Sequence, residues 1–143
     1  MPTPRARLLL LLALVLVLAA ATLAFVQYAR EWSPAAKARR MKNPVPATPA
    51  ALAAANLSYM EHCQNCHGEK GDGKGQKAAE LSVSPMDFTD ARQMDELADG
   101  QLFEEITKGQ LPMPAFEDKL SEQQRWQLVD YVRAFASKTA AAP

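Results

Sequence analysis

The stretch Cys63-Gln64-Asn65-Cys66-His67 constrains this chain more than any other. Its two cysteines are the only two in 143 residues. With two residues between them they form no disulfide framework, so the pair calls for a chemical explanation. A thioredoxin-type redox pair needs a neighbouring βαβ pattern, and none is present. A zinc site needs a fourth ligand. The only other histidine, His62, sits directly beside Cys63, and there is no second C-x-x-C. C-x-x-C-H is instead the pattern of c-type haem attachment. Two residues on a helical turn space both sulfurs for thioethers to the two vinyl groups on one side of a porphyrin. His67 follows at once and points at the iron from the same face.

An iron that only carries electrons needs a sixth ligand. His62 is too close along the chain to reach the opposite ring face, which leaves methionine. Of the six methionines, Met1 belongs to the apolar N-terminal segment and Met41 to a linker. Met60 sits beside the motif on the same helix, where a core or surface role fits it better. Met86 and Met94 lie in a middle loop region and stay open. Met113 is preferred: in Leu111-Pro112-Met113-Pro114 two prolines restrict the backbone that presents its thioether.

The termini and the charge set the surroundings. Arg5 and Arg7 precede Leu8 to Val26, where only Thr22 is polar. As a helix this run spans roughly 28 Å, close to the ~30 Å hydrocarbon core. Residues 1–28 are therefore expected to form a retained transmembrane anchor, with Tyr28 and Trp32 near the interface. The alternative is a signal peptide cleaved near Ala21 and release to the periplasm. More Lys and Arg follow the segment than precede it, which by itself favours a cytoplasmic C-terminal side. The haem chemistry favours the opposite, a single-pass protein of the bacterial inner membrane with its haem domain on the periplasmic face. The net charge of zero hides a split. Seven Lys/Arg against one Glu precede residue 44, and nine Lys/Arg against fifteen Asp/Glu follow it. The acidic later part excludes nucleic-acid binding, which needs positive charge. A domain this small gains a core from a large apolar cofactor.

The later part reads as helices only. Residues 29–47 are expected to be a basic, then Pro/Ala-rich linker. Thr48-Pro49 is a helix start, with Thr as N-cap and Pro at the first position. Leu52, Ala55, Tyr59 and Cys63 then share one face. Gly68 to Gly75, with four glycines, is loop. It contains look-alikes of a phosphate-binding loop and of a dinucleotide fingerprint. The first has Gly75 where Ser or Thr should stand, and no strand precedes the second. Leu102, Phe103 and Ile106 mark a short helix ended by Gly109. Glu104 and Glu105 are expected on its solvated face. Ser121 and Gln124 form a capping box before an amphipathic helix with Leu128, Val129, Tyr131, Val132 and Phe135. The tail, 139–143, is expected to fray.

From about residue 48 to 138 the chain resembles the class I cytochrome c family. The resemblance rests on Cys63-Gln64-Asn65-Cys66-His67-Gly68, Gly71-Asp72-Gly73-Lys74-Gly75, Gly109 to Phe116, and Leu128 to Arg133. It implies an all-α fold of several short helices around one covalent haem. It also implies that the first and last helices cross near the haem edge, with Tyr59 meeting Tyr131 or Val132. One feature departs from the family. No proline stands between His67 and Pro85, so the usual carbonyl that accepts the histidine ring N–H has no assigned counterpart. The expected function is electron transfer by a six-coordinate His67/Met113 haem, without enzyme activity of its own. The chain would act as a tethered shuttle or as the haem subunit of a respiratory complex, with redox proteins, complex subunits and membrane lipid as partners. The alternative is a haem enzyme or gas sensor with a displaceable sixth ligand.

Overall fold

A computed structural model describes residues 3–31 and 34–140. Its contacts divide the chain into two units, residues 1–37 and 38–143. The first is dominated by α1 (Pro4–Glu31), whose leucines, valines and Phe25 are exposed. Among the described residues it is the one helix long and apolar enough to cross a membrane, over Pro4–Ala29. Tyr28 is exposed at its end; Trp32 and Met1 lie outside the described residues.

The second unit is helical, and the described residues contain no strand. The end of α2 (Pro34–Arg40) belongs to it: Ala38 is buried, and a side-chain carbon on Gly100 would meet the Ala38 carbonyl. The chain then runs extended to Thr48. Asn43 donates from Nδ2 to the Trp126 carbonyl at 3.2 Å and turns Val45 with its Oδ1. Residues 38–47 thus pack on the domain they precede. α3 (Pro49–His62) starts as expected: Thr48 Oγ1 accepts from Ala51 N at 3.1 Å, and Pro49 opens the helix. Its buried face is Ala51, Ala55 and Tyr59, with Leu52 only half-buried. One turn of helix, α4 (Gln64–His67), follows at once and carries the motif.

Beyond the glycine loop the chain makes a 3-10 turn at Ala78–Glu80 and then α5 (Ala91–Glu96). This helix replaces the expected loop around Met94. Asp90 caps it by accepting from Arg92 N and Gln93 N, which stabilises a segment too short to show periodicity. Met94 is accordingly core, 1% exposed. α6 (Asp99–Lys108) ends at Gly109, whose φ of 68° is left-handed backbone. At its start Gln101 Oε1 accepts from Ala98 N, half a capping box because Ala98 offers no acceptor. Ser121 and Gln124 make the complete box, at 2.9 and 3.2 Å, before α7 (Glu122–Ala140).

α7 is the central packing element, set against α3, α5 and α6. Trp126, Leu128, Val129, Val132, Phe135 and Ala136 are buried on it. Trp126, which periodicity did not single out, stacks on Phe103 at 4.0 Å. Arg133 ties α7 to the α5–α6 junction, reaching Asp99 at 2.9 Å and the Met94 and Leu97 carbonyls. α7 is helical to Ala140, and residues 141–143 of the expected frayed tail lie outside the described residues.

Candidate functional site

The site begins with α3 running into α4. Cys66 N and His67 N both reach back to the Cys63 carbonyl, at 3.1 and 2.9 Å. This turn sets Cys63, Cys66 and His67 against one cavity of about 580 Å³. That volume falls in the range of cofactor sites, and the lining is predominantly apolar, as such sites are. Leu102 and Ile106 come from α6, Leu128 and Val132 from α7, and Met113 from the loop after Gly109.

The glycine loop folds back on the turn and uses its carbonyls. Gly73 N donates to the His67 carbonyl, Gly75 N to Cys66 and Lys77 N to Asn65, at 2.8–3.1 Å. Gly75 must be glycine because a side-chain carbon would lie 2.4 Å from the Asn65 oxygen. The phosphate-loop look-alike is therefore a brace for the motif. Tyr59 fixes the other end: its hydroxyl donates to the Gly68 carbonyl at 2.7 Å. Burial raises its pKa and keeps that hydroxyl protonated. Its ring lies 5.2 Å from Tyr131 and 5.3 Å from Phe135, so the expected meeting of the first and last helices is present.

His67 is held on two sides. Its ring stacks on Phe88, 4.6 Å away and 16° from parallel, and Phe88 N donates to the Gly71 carbonyl. His67 Nδ1 lies 3.4 Å from the Met86 carbonyl, at the long end of a hydrogen bond. A carbonyl can only accept, so this pairing puts the ring proton on Nδ1 and leaves Nε2 with a free lone pair, the form that binds metal. The acceptor missing after His67 is thus supplied nineteen residues on, just beyond Pro85. Burial lowers the His67 pKa, outweighing the Met86 bond that raises it, and favours the same neutral ring.

The methionines separate by place. Met60 is exposed, Met94 is core, and Met41 packs outside the cavity lining. Met86 and Met113 both line the cavity, but the Met86 backbone is held beside His67. Met113 N donates to the Gln110 carbonyl at 2.8 Å in a tight turn that leaves Leu111 91% exposed. One expectation is corrected. Glu105 does not lie on a solvated face; it lines the cavity, because it falls on the same side of α6 as Leu102 and Ile106.

The residues fit a covalently held haem. Burial, then the Cys66 charge, pushes the Cys63 thiol up to about 12, so a charged thiolate is disfavoured there. A thioether carries no charge and suits the same position. His67, Met113 and the two cysteines as thioethers are a donor set that matches haem, with His62 a second imidazole on the cavity wall; no group of three His, Cys, Asp or Glu placed to hold a metal ion occurs among the described residues.

Comparison with known proteins agrees. Residues 50–132 match the family model for cytochrome c oxidase, cbb3-type, subunit III. Among solved structures, a chain of the Kuenenia stuttgartiensis reducing HAO-like protein complex Kustc0457/Kustc0458 is 28% identical with a TM-score of 0.57. The match covers 66% of this chain and 49% of that one. The KustC0563 c-type cytochrome is 29% identical with a TM-score of 0.51, over 57% of this chain and 95% of that one. The curated proteins returned no match. The chain belongs to the cbb3-type cytochrome c oxidase subunit III family, a family of class I c-type cytochrome domains, and its cofactor is covalently attached haem c.

Proposed function

We propose that this chain carries single electrons through a haem c attached at Cys63 and Cys66, with iron ligated by His67 and Met113. The observation that carries this reading is that all four side chains line one cavity, while the remaining described methionines are exposed, packed elsewhere or tied beside His67. The haem supplies a one-electron couple when bound. Met86 and Phe88 orient His67, the glycine loop braces the attachment turn, and the Gln110–Met113 turn presents the thioether. Two protein ligands leave the iron no open position for a substrate. Methionine ligation and burial favour a relatively high potential.

The apolar helix α1 supports a membrane anchor, and the haem chemistry favours the bacterial inner membrane with the haem domain on the periplasmic side. A tethered domain gains effective concentration near a membrane partner, as a shuttle or as the haem subunit of a respiratory complex. The K. stuttgartiensis match, a component of a larger complex, favours a role among partner subunits. The acidic domain steers basic partners, an attraction that salt weakens. The test is a haem stain on a denaturing gel with the absorption spectrum of the oxidised protein. Covalent haem and a methionine-to-iron band are expected. A stained protein lacking that band contradicts Met113 ligation and favours a haem enzyme or gas sensor.

A further inference from the structure

Glu105 is out of place for an electron carrier's cavity. Among the described residues lining that cavity there is no Lys or Arg, and the only carboxylates are Asp87 and Glu105. The two differ in support. Asp87 Oδ1 accepts from Thr89 N at 2.8 Å and from Thr89 Oγ1 at 2.6 Å, so its carboxylate has local hydrogen-bond donors. No described residue hydrogen-bonds or ion-pairs with the Glu105 carboxylate. Burial alone raises its pKa, with no neighbouring charge contributing. Reduction of the haem adds one negative charge beside this half-buried group, and a like charge there disfavours the carboxylate further.

We propose that Glu105 takes up a proton when the haem in this cavity is reduced and releases it on oxidation, so that the chain couples electron transfer to proton transfer. This rests on the haem occupying the cavity, but not on Met113 being its ligand. The step balances simply. One electron arrives from the redox partner, one proton from water bonds to a Glu105 oxygen, no other bond changes, and oxidation reverses both. The other titratable groups facing the cavity are Tyr59 and His62 from α3, His67 from α4 and Asp87 from the loop before α5. Glu104 and Lys108 flank Glu105 on its own helix. α7 and the Gln110–Pro114 loop contribute uncharged residues. The haem propionates are the remaining acids.

The sign follows from the charges. The reduced form has the higher Glu105 pKa, so the midpoint potential falls as pH rises between the oxidised-state and reduced-state values, above the ordinary carboxylate range. The experiment is a potentiometric titration of the detergent-solubilised full chain with its haem, from about pH 5 to about pH 8. The expected slope approaches 59 mV per tenfold change in proton concentration, about the one-electron limit. Glu105→Gln should flatten it, Glu105→Asp should keep a slope with a shifted window, and Asp87→Asn should leave it in place. A flat wild-type curve overturns the proposal. So does an unchanged slope in Glu105→Gln, which assigns the proton to a propionate or to His62. The haem stain and the methionine-to-iron band, read on the same samples, report separately on the haem and on its ligand.

Discussion

Tyr59 belongs to both the core and the cofactor site. It is 1% exposed, packs on Tyr131 and Phe135, and spends its hydroxyl on the Gly68 carbonyl next to His67. Tyr59→Phe keeps the ring and leaves that carbonyl without its donor. We expect a loss of about 1–2 kcal/mol, read as a lower melting temperature with haem still attached. At this scale the sequence was informative wherever chemistry rests on side chains. Cys63, Cys66 and His67 were singled out by spacing and Met113 by its prolines, and all four line one cavity. The Met86 carbonyl was not, because a backbone acceptor carries no residue signature. Glu105 was misread because charge alone suggests solvent, while its place on α6 beside Leu102 and Ile106 turns it inward.

Gly109 links an element to the site. It ends α6 at φ 68°, and a side-chain carbon there would lie 2.6 Å from the Met113 carbonyl. Gly109→Ala therefore incurs about 1–2 kcal/mol for left-handed backbone and pushes against the turn that presents Met113. We expect a weakened methionine-to-iron band in the oxidised spectrum as well as a lower melting temperature. The long helices were legible because their caps and apolar faces repeat over several turns. α5 was not: six residues cannot show a 3.6-residue period, and Asp90 as its cap emerges only with the structure. The buried face of α3 was drawn through Leu52 instead of Ala51, a one-residue shift that small alanines conceal.

For the whole molecule, charge divides between the two units: residues 1–37 hold four Lys/Arg against one Glu, and residues 38–143 hold twelve Lys/Arg against fifteen Asp/Glu. The structure brings residues 38–47 onto that domain through Ala38, Asn43 and Trp126. Two truncations behind a cleavable export leader test this. A domain starting at Ala38 should melt like the full chain's haem domain. One starting at Thr48 loses the Asn43 bond and the Ala38 packing and should melt several degrees lower, for a loss of about 1 kcal/mol or more. Electron transfer through a closed iron is the central claim, and carbon monoxide probes it directly, because the gas binds ferrous haem only at an open position. We expect the reduced wild-type chain to form no carbon monoxide complex on rapid mixing and Met113→Ala to form one readily. Rapid, tight binding to the wild type would contradict the account.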